Sequence, residues 1–317
     1  MKPLPLPPNV LSHFYAGGER IARLRGLELA SDHMPEEWIG AVNTAFGHTE
    51  RGLSRLEDGT LVRDAIAADP SAFLGPDRME PGLLVKLLDA GQRLPVHFHP
   101  GREFAREHLG SPYGKTEAWL IVEAEPGASV HVGWTRDVEL DEVREWMRVQ
   151  DSAAMLATMH ELEVAAGDTV FVPAGTTHSI GEGILMVELQ EPTDFSVLLE
   201  WDGFELTEDE GHLNLGWDVA LKALNREGWS AERARALRGR DLHAEAAPFF
   251  RAEWVCGGDT LDQGFSILVG LSGDGRLAGL PFGRGSTVLV PYAAGDTALE
   301  GDVEALRALT AAASPGS

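Results

Sequence analysis

At 317 residues the chain is long enough for two domains or one large β architecture, given roughly 150 residues per domain. Its 44% hydrophobic content suits a folded protein with a sizeable core, and a formal charge of −24, from 50 acidic against 26 basic side chains, argues against nucleic acid or an anionic membrane as partner. The single cysteine, Cys256, excludes an intrachain disulfide and a cysteine-based zinc cluster. No apolar stretch reaches spanning length, and the opening MKPLPLPPNV has no secretion-signal core, so a cytoplasmic location is expected.

Residues 1–30 read as a proline-rich entry, a Gly17-Gly18 turn and a short strand-like piece. Residues 36–46 (EEWIGAVNTAF) read as a strand with Trp38 on its core side, and a short helix is expected near 60–74. The run Gly82 to Ala90 is apolar enough for a buried strand, interrupted by Lys86. An unpaired buried ammonium costs several kcal/mol, so Lys86 needs an anionic partner or a cavity. Residues 100–111 begin with proline and end near glycine, the punctuation of a short helix inserted between strands. Short strands follow (TEAWLIVE, ASVHVGW, HELEVAAG, DTVFVPAG, GILMVELQ), broken by a helical stretch around 138–150. The pattern turns helical between about 206 and 244, and strands return from about 249 to 310. There Gly285 to Gly295 echoes Gly167 to Gly175 without a following histidine, a weak internal repeat that predicts a metal-free second barrel.

Two segments carry the chemistry. In the first, Gly91 and five residues precede His97-Phe98-His99, and Gly-Lys-Thr-Glu117 opens the next apolar run; in the second, Gly167 leads through Pro173-Ala174-Gly175 to His178. Residues two apart on a strand share a face, so His97 and His99 point both imidazoles into one cavity. With Glu117 and His178 they form a set of three nitrogens and one carboxylate suited to a divalent cation. Glu103 competes with Glu117, but it falls in the helical insertion beside Arg102, Arg106 and Glu107, whereas Glu117 opens a strand with a defined direction. Glu188 shares a strand face with Gln190, where the bland reading is solvent exposure; Trp119, Trp134 and Trp201 read most simply as core aromatics. His160, His212 and His243 carry no spacing signal.

Taken together, EEWIGAV, PGLLVKLLDAGQRLPVHFHP, GKTEAWLIVEAEPGA, AGDTVFVPAGTTHSIGEGILMVELQEPTDF and VLVPYAAGD resemble the type I phosphomannose isomerases of the cupin superfamily, over about residues 14 to 310. The resemblance implies a mainly β fold of two cupin (jelly-roll) barrels in tandem, with helical insertions and a helical connector. Residues 1–205 would form the metal-binding barrel, 206–244 the connector and 245–317 the metal-free barrel. It implies one divalent metal on His97, His99, Glu117 and His178, zinc first, with manganese, iron, cobalt or nickel open, and a small sugar or sugar phosphate as partner. The chain departs from the family at three positions: His97 stands for a glutamine, Pro95 for a serine, and Leu198 lies near the family's catalytic arginine. The implied reaction is interconversion of mannose 6-phosphate and fructose 6-phosphate through an enediol. Lys115, Glu188 and Lys86 are the candidates for proton transfer and orientation, and Lys115, Arg102 or Arg106 for phosphate. The missing arginine keeps open an isomerase of an unphosphorylated sugar and a sugar-binding cupin without turnover.

Overall fold

The computed structural model describes residues 1–311, in which three antiparallel sheets are joined by short helices. The central sheet runs Arg238–Gly239, Thr169–Val172, Glu117–Ala124, Ile184–Gln190, Leu84–Ala90, Glu36–Ile39, Val10–Leu11. A five-stranded sheet runs Val197–Leu198, His97–Phe98, His178–Ile180, Ser129–Trp134, Met159–Glu163. The third runs Leu4–Pro5, Thr287–Val290, Ser266–Leu277, Thr297–Thr310, Phe250–Cys256.

The central strands are continuous apolar runs because both their faces are covered. Every residue of Leu84–Ala90 and of Ile184–Gln190 is buried. One core joins all three sheets: Val130 and Ile180 come from the five-stranded sheet, Leu87 and Leu120 from the central one, and Val269 and Leu306 from the third. The third sheet alternates as a strand must, so Leu268, Val288, Val290 and Val303 form a separate core on its other face. Its first strand comes from the start of the chain: Leu4 pairs with Leu289 and Pro5 with Val288, a join that a division at residue 205 does not anticipate. The last six residues of the 245–317 segment lie outside the described residues.

Several expected elements are shorter than their sequence patterns. The strand expected over 36–46 ends at Ile39, because Gly40 takes a φ of 63° that turns the chain out of the sheet. The helix expected over 60–74 is two, Val62–Ala68 and Pro70–Leu74: Pro70 cannot donate to a continuing helix, and the Asp69 carboxylate instead caps the second by accepting from the Ala72 N–H at 3.1 Å. The 206–244 stretch is broken into Glu208–His212, Trp217–Ala220, Leu221–Ala223 and Ala231–Ala236. Leu213, Ala220, Leu221 and Leu224 of this stretch pack with Trp134, Trp146 and Met155 in a second core. That core backs the five-stranded sheet through Val96, Phe98 and Val197, and so braces the segment that carries His97 and His99. No helix among the described residues is long and apolar enough to cross a membrane.

Candidate metal centre

Register brings the histidines together. His178 lies directly opposite His97 on neighbouring antiparallel strands, and Leu198 opposes His97 from the other side. Directly opposed residues share a face, and His99, two positions beyond His97, returns to it. The ring centroids of His97 and His178 are 4.0 Å apart, those of His97 and His99 5.0 Å, and those of His99 and His178 4.8 Å. One ring nitrogen from each lies within 4.8 Å of the others, with all three side chains buried.

The sequence explains why the second segment reaches the first. Gly175 of the Pro-Ala-Gly turn adopts a φ of 83°, open to glycine and strained for other residues, and its N–H donates to the His99 carbonyl at 2.6 Å. The turn thus ties the His178 segment to the His97-Phe98-His99 strand. Three further carbonyls orient the rings: Nδ1 of His97 is 2.7 Å from the Pro95 oxygen, Nδ1 of His178 2.8 Å from that of Thr176, and Nδ1 of His99 2.8 Å from that of Phe195. A carbonyl accepts only from N–H, so each Nδ1 carries the proton and each Nε2 keeps its lone pair for a cation.

Glu117 approaches from the central sheet. Its Oε2 is 3.0 Å from Nε2 of His99 and its Oε1 is 3.2 Å from Nε2 of His178. Even so, Nε2 of His178 and Oε2 of Glu117 have no hydrogen-bond partner, although both are buried. Orphaned donor atoms of this kind are what a bound cation satisfies. The Lys115 ammonium, 3.1 Å from Nε2 of His99 and 3.2 Å from Oε2 of Glu117, already sits against them as a positive charge. Three imidazole nitrogens and one carboxylate oxygen fit a divalent transition metal in donor type and number.

Electrostatics keep these groups in ligand form. Burial, helped by the neighbouring His178 and His99, holds the His97 imidazole well below its usual range. Burial and the Lys115 charge bring His99 down to about 3. Burial works against ionisation of Glu117, yet the adjoining His99 imidazole and the Lys115 ammonium hold its carboxyl well below the usual carboxylate range.

Beside this cluster the central sheet presents a polar row. Trp119, Glu188, Lys86 and Trp38 are successive register partners across four strands and therefore share one face. Lys86 is buried, with its ammonium 3.1 Å from Glu36, 3.6 Å from Glu188 and 3.8 Å from Asp194, and 4.8 Å from the Trp38 ring centre. Burial opposes its charge, but Glu36 foremost among these carboxylates raises its pKa above the ordinary lysine value. The same field splits the carboxylates. Lys86 and His13, acting against burial, keep Glu36 ionised, whereas burial and the Glu117 charge push Glu188 up to about 8. Oε2 of Glu188 is buried without a partner.

Lys86, Lys115, His97 and Glu188 line one pocket. His13, Glu36 and Asp194 line it too and were missed in the sequence. Glu36 had a signal, a carboxylate two residues before Trp38 and so on the face of Lys86's strand neighbour; His13 and Asp194 sit in irregular segments without periodicity. Glu188 is not solvent-exposed. Glu103 is exposed on the helix Arg102–His108. Arg102 on that helix bonds Glu191 at 2.5 Å and lies over Phe249, Arg106 is exposed, and neither lines the pocket. Trp119, Trp134 and Trp201 do not line it either: Trp134 and Trp201 belong to the second core, and Trp119 packs on His178.

Sheets packed face to face around a three-histidine, one-glutamate cluster define a cupin-type protein with a candidate metal centre. No family model matches the chain. A mannose-6-phosphate isomerase of Bacillus subtilis (strain 168) is 30% identical over 241 residues, covering 71% of this chain and 73% of that protein. The chain belongs to the mannose-6-phosphate isomerase family. Its fold matches a mannosephosphate isomerase structure from Archaeoglobus fulgidus with a TM-score of 0.77 at 20% identity, covering 98% of each chain. It also matches a mannose 6-phosphate isomerase solved with zinc and yttrium, with a TM-score of 0.73 at 14% identity, over 98% of this chain and 100% of that one.

Proposed function

We propose that the protein is a divalent-metal-dependent aldose–ketose isomerase that interconverts mannose 6-phosphate and fructose 6-phosphate. Family membership supports the reaction, and the observation that carries it to this chain is the convergence of His97, His99, His178 and Glu117 beside a pocket lined by Lys86, Lys115 and Glu188. His97, His99, Glu117 and His178 hold the metal, with zinc the expected ion. Once bound it supplies Lewis-acid polarisation of the substrate carbonyl.

The remaining work falls to side chains of the pocket. Isomerisation takes a proton from the carbon next to the carbonyl and returns one to the neighbouring carbon, with an enediol between. Glu188 suits the shuttle: burial and the Glu117 charge raise its carboxyl above the ordinary range, and its Oε2, 3.6 Å from the Lys86 ammonium, accepts no hydrogen bond. Lys86, held charged by Glu36 foremost, orients the Glu188 and Asp194 carboxyls and does not act as a base. Lys115 supplies positive charge beside the developing enediolate.

The test is solvent deuterium incorporation into fructose 6-phosphate and mannose 6-phosphate by zinc-reconstituted and chelated protein, with elemental analysis alongside. Exchange confined to the metal-loaded form is expected. Full exchange in metal-free protein, or none in either form, rejects the proposal.

A further inference from the structure

Isomerisation through an enediol starts from an open chain, whereas a hexose phosphate in water is mainly a closed hemiacetal. The ring has to open before any carbon-bound proton can move. Opening takes the proton from O1–H as C1=O forms, breaks the C1–O5 bond and puts a proton on O5. Both oxygens are bonded to C1, so one base within reach of that carbon can carry the same proton from the first to the second. Glu188 serves the carbons, and Lys86 and Lys115 are ammonium groups set against carboxylates. His13 lines the same pocket and is unused by those steps.

His13 has the form such a base needs. Its side chain keeps 18% of its surface open where it lines the pocket. Packing fixes the ring: Phe14 meets it edge-on at 4.8 Å between centroids, and the Tyr15 ring lies at 5.1 Å. Nδ1 is buried without a partner, unlike Nδ1 of His97, His99 and His178, each set against a carbonyl. No hydrogen bond therefore fixes the tautomer, and Nε2 can hold a lone pair or a proton. Nε2 is 3.5 Å from Oε1 of Glu36, long for a hydrogen bond in the free site but close enough to stabilise the ring once it is charged. Glu36 is a fixed counter-charge, since the Tyr15 hydroxyl and the Trp38 N–H each donate to it at 2.8 Å and the Lys86 ammonium lies at 3.1 Å. Burial outweighs the attraction of Glu36 and Asp194 and holds the His13 imidazole below its usual range, so the resting ring is an uncharged base at neutral pH.

The sheet sets the two bases apart. The strand of Lys86 runs between those of Glu188 and Glu36, and His13 follows Val10–Leu11, the edge strand beyond Glu36. C1 of a pyranose is arranged to match, with C2 on one side and O5 on the other. Resting on the isomerase reading above, we infer that His13 is a further catalytic residue: its Nε2 takes the O1 proton and returns it to O5, opening the hexose ring, while Glu188 moves the carbon-bound proton.

The experiment follows exchange between the α and β anomers of mannose 6-phosphate by two-dimensional exchange NMR, with zinc-loaded full-length wild type and His13→Gln matched for metal content and urea unfolding. Wild type is expected to speed anomer exchange above the solution rate, and His13→Gln to lose that acceleration by about 10²-fold or more. Turnover of the variant is also expected to show no primary isotope effect with mannose 6-phosphate deuterated at C2, because it waits on ring opening; a purely structural His13 leaves that effect in place. Wild type that isomerises without speeding anomer exchange, a variant that keeps the acceleration, or a variant with a full isotope effect overturns the inference and leaves the isomerase reading standing. Wild type that forms no fructose 6-phosphate sinks that reading and the inference with it. His13→Asn is read in the same way if His13→Gln does not fold.

Discussion

At the residue scale the centre depends on four side chains whose ionisable atoms are aimed by backbone carbonyls and packing. His99→Ala and His178→Ala are each expected to weaken metal binding by more than about a hundredfold, a loss at least as large as removal of an outer-shell partner, read by isothermal titration with zinc. Glu188→Gln tests a different role. It is expected to lower kcat by about 10²–10⁴ while metal content stays unchanged, whereas loss of metal in this variant would make Glu188 a structural support for the ligands. Lys86 is held by Glu36, Glu188 and Asp194 in a buried site. Lys86→Met leaves those carboxylates without their counter-charge, and a loss of about 3–5 kcal/mol in denaturant unfolding is expected.

At the element scale the site is a product of strand pairing and one turn. The Pro173-Ala174-Gly175 turn bonds the His99 carbonyl and delivers His178 opposite His97. Any side chain at Gly175 is strained at its φ of 83°. Gly175→Ala is therefore expected to cost about 1–2 kcal/mol in stability. Because the strained turn carries a ligand strand, zinc affinity should fall in the same variant; affinity unchanged at reduced stability would show that the turn does not aim His178. On the central sheet, the row Trp119, Glu188, Lys86 and Trp38 exists because four neighbouring strands are in register. A one-residue slip of any of them would send its member to the opposite face.

Across the whole molecule, stability without metal should depend on pH through the buried groups. His13, His97 and His99 have folded pKa values depressed by burial, so on acidification the unfolded chain takes up their protons first. Stability is then lost as pH falls below about 6.5, with a slope of about 1.4 kcal/mol per pH unit for each histidine. Glu36, also depressed, adds to the loss at lower pH, below its ordinary carboxylate range. Glu188 acts in the opposite direction: its folded value is raised to about 8, so the stability it contributes in its protonated form disappears as pH rises through that value. Chelated protein should therefore be most stable near pH 6.5, where the histidine loss has ended, and should lose the Glu188 contribution between there and about 8, as measured by urea unfolding across pH. A flat profile from 4 to 7 would mean that the histidines are protonated in the folded state. Zinc in hundredfold excess over its Kd should add about 2.7 kcal/mol, provided that it binds the folded chain alone.

The convergence of His97, His99 and His178 was legible in one dimension because its determinants are local. His-x-His follows the two-residue period of a strand, Pro-x-Gly makes a turn, and Glu117 opens an alternating run. The mainly β pattern was legible for the same reason, as were the inserted helix Arg102–His108 and the need of Lys86 for a counter-charge. What the tertiary structure alone decided is non-local: that Glu36 and Asp194 are the carboxylates beside Lys86, that His13 lines the pocket, that Glu188 is buried, and that Leu4–Pro5 completes the third sheet. Periodicity specifies which way a side chain points along its own strand. Which strand lies beside it, and so which charges share a low-dielectric pocket, is set by pairings between residues up to hundreds of positions apart.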